Sequence, residues 1–208
     1  TQNRNRNFLS SRAVCKTLLT YPDAPFDGEE VYNDENRLMY APHVPDEFTT
    51  NKDLALMEII RPKIEAGEKI LVYYNDVGVT CLGKHLTNLI NSHGYNAAEL
   101  TSSVKAEKRE SYINDKVAKG LNVLICNPAL VETGLNLLDF TTIVFYQLGY
   151  NLNTMRQASR RSWRLSQKKD ITVYFLYYQN TVQEGVLSLM ATKLHAAQSM
   201  EGKFSEEG

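Results

Sequence analysis

The residues of this sequence best suited to chemistry are the basic side chains between positions 153 and 169. The segment reads N-T-M-R-Q-A-S-R-R-S-W-R-L-S-Q-K-K, with six cations and no acid, and four of the cations are arginines. Asn153 or Thr154 can cap a helix here, and no glycine or proline interrupts the residues that follow. A guanidinium group keeps its charge and matches a pair of phosphate oxygens, so this arginine segment predicts contacts with an anionic group.

On the predicted helix, Gln157, Arg161 and Arg164 form one stripe because they are spaced by four and then three residues. The alternative is a basic helix that only faces water, as most charge runs do. Two observations favour binding. Arginine outnumbers lysine, and the segment follows an apolar strand and an Asn/Gly-rich loop, which is where an open α/β sheet binds its ligands.

The amino-acid composition is that of a globular protein in which only local basic patches could contact nucleic acid. The 208 residues fit one domain with an appendage, and the net charge of −1 argues against coating nucleic acid by bulk attraction. Three cysteines without a C-x-x-C motif predict buried or half-buried thiols in a reducing compartment: Cys15, Cys81 and Cys126. The histidines lack metal-ligand spacing, so no metal site is expected. Without a signal peptide or apolar span, an intracellular location is expected, and the start at Thr1 suggests a piece of a longer protein.

Five apolar runs predict the strands that would position the arginine segment. They lie at residues 69–74, 96–100, 122–126, 141–147 and 171–178. Besides the arginine segment, helical patterns lie at 51–67, 79–92, 105–119 and 181–197. Strands that are apolar throughout and alternate with helices predict an α/β fold, with a parallel sheet covered by helices on both faces. We divide the chain into an irregular N-terminal arm or linker (1–50), a domain (51–197) and a mobile polar tail (198–208).

Four loops that follow the predicted strands carry distinctive sequences in a fixed order. They contain Y-Y-N-D at 73–76, L-T-S-S at 100–103, G-L-N-L at 134–137 and Q-A-S-R-R-S-W-R-L-S-Q at 157–167. Together they resemble the second RecA-like lobe of a superfamily 2 helicase or translocase, closest to the Swi/Snf-type group. The resemblance covers about residues 51 to 197. It implies a RecA-like sheet of the kind found in P-loop NTPases.

The resemblance implies half of an ATP site, because this family binds ATP between two lobes. Arg161 and Arg164 match the arginines that reach the γ-phosphate, and Arg164 is the expected arginine finger. Gln157 matches a residue that senses the nucleotide. Gly134 would let backbone N–H groups approach the nucleotide and Asn136 would steady that loop, although an ordinary loop glycine and a loop-stabilising amide are the alternatives.

The other loops of this family face a nucleic-acid backbone, with DNA favoured over RNA as the partner. Asn75, Thr101, Ser102 and Asn127 are short polar residues just past strand ends, which suits them to phosphate oxygens. Each of them alone is as well explained as a turn former. Some positions depart from the family pattern; Gln147, for example, stands where an aspartate often ends the fourth strand. These departures leave the substrate open.

Two motifs that ATP hydrolysis needs are absent from the sequence. It contains no G-x-x-x-x-G-K-[ST] phosphate loop and no D-E pair after an apolar strand. We therefore expect ATP and Mg²⁺ to be bound mainly by a first RecA-like lobe in the same protein, and this chain alone to be inactive. The alternative is a non-catalytic RecA-like module that binds nucleic acid or protein. An enzyme complete within this chain is excluded, because the phosphate loop and a general base are absent.

Overall fold

A twisted sheet of parallel strands forms the centre of the fold. The computed structural model describes residues 17–33, 36–75, 81–131, 135, 137–148 and 169–205. In chain order, its elements are β1 (Glu29–Asn33), β2 (Asn36–Ala41), α1 (Asn51–Glu65), β3 (Lys69–Tyr73), α2 (Leu82–Ser92), β4 (Ala97–Leu100), α3 (Arg109–Ala118), β5 (Val123–Cys126), β6 (Phe140–Phe145), β7 (Thr172–Phe175) and α4 (Val182–Ser205). Short 3-10 turns at Ala106–Lys108 and Pro128–Leu130 precede α3 and follow β5.

The sheet has five strands in the order β4-β5-β3-β6-β7, and every neighbouring pair is parallel. The predicted α/β class, the strand number and the parallel direction are confirmed. β3 lies in the middle, so the loops after β4, β5 and β3 emerge side by side at one edge. The loop after β6 begins next to them at the same edge.

Helices cover both faces of the sheet. Each strand contributes side chains to both faces, because successive side chains of a strand point to opposite sides. Ile70 and Val72 of β3 pack in a cluster with residues of α1 and α2. Leu71 and Tyr73 point the other way, into a cluster with residues of α3 and α4. This arrangement explains why the strands read as continuous apolar runs rather than as alternating patterns.

The first helix of the domain begins where its capping residues predict. The Thr50 side chain accepts a hydrogen bond from the Asp53 amide, and the Asp53 carboxylate accepts one from the Thr50 amide, a capping box. After the helix, Gly67 adopts φ +79°, a left-handed conformation that ends the helix at low strain. The predicted start at residue 51 is therefore fixed by local chemistry.

The N-terminal arm contains regular structure that the sequence analysis did not predict. β1 and β2 form an antiparallel hairpin, with a register shift between Val31 and Tyr32. Phe26 and Val44 add an isolated antiparallel bridge beside it. The strands are rich in polar residues, and the bulge interrupts their alternation, so their pattern is weak in the sequence. The described part of the arm is therefore ordered and not irregular.

Three further expectations differ from the structure or lie outside it. Backbone helix continues to Ser205, whereas the closing helix was expected to end at residue 197 and a mobile tail to follow. Cys126 is buried as expected, but Cys81 is exposed because it stands just before α2 at the surface. Cys15 and the predicted arginine helix at 153–168 lie outside the described residues.

Candidate functional site

The candidate site is the edge of the sheet where the parallel strands end. Asn75 follows β3, Asn127 follows β5 and Thr101 follows β4. Because these strands are neighbours in the sheet, the structure brings the sequence-predicted polar residues to one edge. Ser102 follows Thr101 in the chain and is exposed.

Two of the predicted residues hold the strand ends together. Asn127 Nδ2 donates to the backbone oxygen of Asn75 at 3.3 Å, and Asn127 Oδ1 accepts from the Ala129 amide at 2.9 Å, which caps the 3-10 turn. Asn75 donates to Gln147, from its amide to Oε1 at 3.0 Å and from Nδ2 to the backbone oxygen at 3.2 Å. These bonds connect the ends of β5, β3 and β6. They support the turn-forming interpretation for Asn127 and show that Asn75 joins the ends of β3 and β6.

The loop after β4 offers hydroxyl groups to solvent. Thr101 Oγ1 lies 2.6 Å from Ser103 Oγ, and Ser102 is exposed beside them. Arg109 holds this loop to the next one, since it donates from Nε to the Val104 oxygen at 3.2 Å and from Nη1 to the Leu130 oxygen at 2.9 Å. Arg109 therefore fixes two loops at the edge.

The residues predicted to contact the nucleotide lie outside the described parts of the chain. These are Gly134, Asn136, Gln157, Arg161 and Arg164. Their flanks are described: Leu135 and Leu137, the two leucines of the G-L-N-L motif, are buried in the core. The chain is described up to Leu148, three residues past the end of β6, and again from Lys169. The structure thus describes the residues on either side of the arginine segment.

A buried polar cluster lies directly beneath this edge, and the sequence analysis missed it. Its members are Asp23, Thr50, Lys52, Asp53, Tyr146, Gln147 and Gln183, all of them buried. They come from the arm, from the start of α1, from the end of β6 and from α4. Buried acids and a buried lysine are unusual, because charged groups are rarely taken out of water without a partner.

Asp23 and Lys52 form the ion pair of the buried polar cluster. Lys52 Nζ lies 2.9 Å from Asp23 Oδ1 and donates to the Tyr146 backbone oxygen at 3.0 Å. Burial raises the pKa of the Asp23 carboxyl and lowers the pKa of the Lys52 ammonium, and the attraction between the two groups opposes both shifts. Lys52 also lies over the rings of Tyr146 and Tyr178, at 5.5 and 5.2 Å from their centroids.

The second acid of the buried polar cluster, Asp53, contacts two side chains besides its capping role, those of Tyr146 and His85. The Tyr146 hydroxyl lies 2.8 Å from Asp53 Oδ1 and 3.1 Å from the Thr50 hydroxyl. His85 Nε2 lies 3.0 Å from Asp53 Oδ2. Burial, and next to it the charge of Asp53, raises the pKa of the Tyr146 hydroxyl, so this group remains a hydrogen-bond donor. The start of α1 is thereby locked to β6 and α2.

The thiol of Cys126 is buried at the end of β5. Burial raises the pKa of the Cys126 thiol far above its ordinary value, so it stays protonated at the end of β5. Within the described ranges, no group of three or more His, Cys, Asp or Glu side chains could hold a metal ion. No helix in that part of the chain combines the length and apolar character of a membrane span.

Comparison with known protein families identifies the family to which the chain belongs. The profile of the family described as the helicase conserved C-terminal domain matches residues 51–166, more than half of the chain. The chain belongs to the helicase C-terminal domain family. The match begins at α1, covers the loops after β3, β4, β5 and β6, and ends within the arginine segment.

Relatives of this helicase C-terminal domain include proteins of the Swi/Snf type. The chromatin-remodeling ATPase INO80 of Eremothecium gossypii is 27% identical over 162 residues, which cover 76% of this chain and 11% of that protein. A SWI/SNF-related, matrix-associated, actin-dependent regulator of chromatin (subfamily A containing DEAD/H box 1 homolog) of Caenorhabditis elegans is 25% identical and matches 77% of this chain and 17% of that protein. The resemblance inferred from the motifs is confirmed.

A solved structure has the same fold. The crystal structure of the C-terminal part of the Fun30 ATPase domain matches with a TM-score of 0.63 at 20% identity, covering 72% of this chain and 47% of that one. The RecA-like architecture of the helicase C-terminal domain is therefore confirmed. This chain spans 11% and 17% of the length of the two relatives named above, so most of each relative has no counterpart in it.

Proposed function

We propose that this chain is the C-terminal lobe of an ATP-dependent DNA helicase or duplex translocase. The observation that carries the proposal is the family match over residues 51–166, because it spans four of the five strands of the sheet, the polar edge and most of the arginine segment. Relatives are named as chromatin-remodeling ATPases, which supports ATP hydrolysis by the complete protein. A first RecA-like lobe of the same protein would supply the phosphate-binding loop and the acid pair that this sequence lacks.

On the nucleotide side, Arg161 and Arg164 are proposed to contact the γ-phosphate across the interface between the lobes. Gln157 would sense the nucleotide, while Gly134 and Asn136 would shape the loop beside it. The segment 153–169 offers cations and no carboxylate, so its chemistry fits phosphate oxygens, and Mg²⁺ would be held by carboxylates of the first lobe. An arginine aimed at the transferring phosphoryl group stabilises the charge that develops there.

On the nucleic-acid side, the edge formed by the ends of β4, β5 and β3 is proposed to contact the backbone. Thr101 and Ser102 are the members placed for direct contact, because Ser102 is exposed and Thr101 is only partly buried. Asn75 and Asn127 would act mainly by fixing the strand ends. Contacts to phosphate and sugar do not depend on sequence, as a motor moving along any sequence requires.

DNA is the proposed partner, within the cell compartment that holds chromosomal DNA. Support comes from the relatives, whose names place them in chromatin remodeling. Comparing duplex DNA with duplex RNA of the same sequence as a stimulator of hydrolysis would distinguish the two.

The first experiment measures ATP hydrolysis by the two-lobe protein, with and without nucleic acid. The Arg164→Ala variant should lose nucleic-acid-stimulated hydrolysis by a factor of about 10³ or more while it still binds ATP, because the phosphate loop on the first lobe is intact. Arg156→Ala is the matched control, since it removes an arginine from the same segment at a position to which we assign no function.

Each result has a defined meaning. Hydrolysis that depends on Arg164 but tolerates Arg156→Ala supports the arginine-finger assignment. Hydrolysis that is indifferent to Arg164 moves the assignment to Arg161. A two-lobe protein that hydrolyses no ATP with any DNA or RNA contradicts the motor function and leaves a non-catalytic RecA-like binding module.

A further inference from the structure

The N-terminal arm enters the interior of the fold through several residues, among them Ala24 in the apolar core and the acid Asp23. Asp23 is 0% exposed, and its carboxylate contacts three separate elements. It pairs with Lys52 of α1 at 2.9 Å, and it accepts from Gln147 Nε2 at 3.1 Å and from Gln183 Nε2 at 3.3 Å. A residue of the arm thus joins α1, the end of β6 and α4.

From Asp23, hydrogen bonds lead to the candidate edge without a gap. Gln147 uses its amide nitrogen for Asp23, and its Oε1 and backbone oxygen accept from Asn75. The backbone oxygen of Asn75 accepts in turn from Asn127. The path therefore crosses the ends of β6, β3 and β5. In the sheet, β3 lies between β6 and β5.

Stability alone is a poor reason for a buried ion pair in this place. Taking two charges out of water carries a desolvation penalty that their attraction offsets only with good geometry, and apolar residues of similar size are often as stable. A fully hydrogen-bonded network of this kind does hold the connected elements in a single arrangement, because each donor and acceptor pair fits one geometry. Here the arrangement that it fixes is that of the strand ends, because Gln147 lies between the ion pair and the edge.

We propose that Asp23 is a positioning residue, which through Gln147 and Asn75 holds the ends of β6, β3 and β5 in the geometry that binds the nucleic-acid backbone. The arm then contributes to nucleic-acid binding by the helicase C-terminal domain, besides being a linker. This inference rests on the proposed function of the edge. It concerns the hydrogen bonds that Asp23 accepts, and not its charge.

The test compares two double variants in the two-lobe protein. Asp23→Asn with Lys52→Met removes both charges but keeps an amide oxygen that can accept from Gln147. Asp23→Leu with Lys52→Met also removes the charges and keeps similar side-chain volume, but leaves Gln147 without this acceptor. Asp46→Asn, an exposed acid of the same arm, is the control for loss of a carboxylate.

Three quantities are measured for each variant below its melting temperature: basal ATP hydrolysis, stimulated hydrolysis, and the duplex DNA concentration that gives half of the stimulation. The leucine variant should need an about tenfold higher DNA concentration for half of the stimulation, because one hydrogen bond that aligns the strand ends is lost. Its basal hydrolysis should be unchanged. The asparagine variant and Asp46→Asn should resemble the wild type. A loss of folded protein alone would lower basal and stimulated rates in proportion and leave the half-saturating DNA concentration unchanged.

The outcomes separate this inference from the function on which it rests. A leucine variant that needs no more DNA than the asparagine variant overturns the positioning function of Asp23. Equal loss of DNA response in both double variants overturns it as well, since the charges would then matter and the hydrogen bonds would not. A wild-type protein without nucleic-acid-stimulated hydrolysis contradicts the proposed function itself.

Discussion

Glu68 shows at the scale of single residues how a charge at the surface can tie the sheet together. It precedes β3, and its Oε2 accepts from Thr142 Oγ1 at 2.8 Å and from Thr141 Oγ1 at 3.1 Å, both on β6. Its Oε1 accepts from Lys63 Nζ at 3.0 Å. Partial burial acts to raise the pKa of Glu68, but the hydrogen bonds from Thr142, Lys63 and Thr141 together outweigh it and lower the pKa below its ordinary value.

A folded-state pKa below the unfolded value means that the ionised carboxylate stabilises the fold. Glu68→Gln should therefore reduce the free energy of unfolding by roughly 1–2 kcal/mol at neutral pH, because hydrogen bonds to a charged acceptor are lost. The stabilisation is present above the ordinary glutamate pKa of 4.5 and is lost as the pH falls through the lower folded-state value. Urea unfolding of both proteins between pH 7 and pH 3 should show the difference shrinking.

The control for this measurement is Glu65→Gln, an exposed glutamate at the end of the preceding helix. It should change the free energy of unfolding little at neutral pH, because its side chain is exposed. A difference between the wild type and Glu68→Gln that stays constant down to pH 3 would show that ionisation of Glu68 has no part in it.

At the scale of elements, α2 packs on the sheet through a glycine. A Cβ added at Gly83 would lie 2.1 Å from the Glu99 Oε1 and 2.7 Å from the Tyr74 hydroxyl. Those two groups are themselves hydrogen bonded at 2.5 Å, so neither can move aside freely. The close approach of α2 to β3 and β4 thus depends on the absence of a side chain at position 83.

Gly83→Ala should lower the free energy of unfolding by about 1–3 kcal/mol, because overpacking outweighs the better helix propensity of alanine. Gly185→Ala in α4 is the matched substitution, since nothing lies within 4 Å of the added atom there. It should stabilise the protein by up to about 1 kcal/mol. Equal effects of the two substitutions in chemical denaturation would contradict this account of the packing.

The sequence predicts an element when the burial of that element leaves a regular pattern of apolar residues. The strands of the sheet are buried on both faces, so each is a continuous apolar run between turn residues, as in Ile70–Tyr73. The hairpin of the arm has no such run, because β1 and β2 are short, polar and shifted in register at Val31 and Tyr32. The continuation of α4 to Ser205 was missed because polar residues alone do not mark a helix end.

The candidate site was predictable from sequence only where local order determines it. Asn75, Thr101 and Asn127 could be placed at one edge because each directly follows a predicted strand. The buried polar cluster could not be predicted, since Asp23, Lys52 and Gln147 are far apart in the chain and no periodicity relates them. A tertiary contact of this kind leaves no signal in one sequence.

At the scale of the whole molecule, the described residues form a five-stranded sheet, and the proposed ATP site is completed by a first lobe. This chain alone should hydrolyse no ATP above background, with or without DNA, because it has no G-x-x-x-x-G-K-[ST] loop to hold the phosphates. Phosphate release from the purified chain, with circular dichroism to verify folding, is the measurement, and the two-lobe protein is the positive control. Hydrolysis that co-elutes with the chain in gel filtration would contradict the half-site.

The docking of the arm has a consequence for the order in which the molecule assembles during synthesis. Asp23 bonds to Gln147 and Gln183, which stand 124 and 160 positions later. The ribosome therefore makes Asp23 well before the two glutamine side chains that donate to its carboxylate. Until then Asp23 and Lys52 stay in water, where neither charge carries a desolvation penalty. The arm is therefore made before the residues that fix it in place, and it can dock only after they have been added.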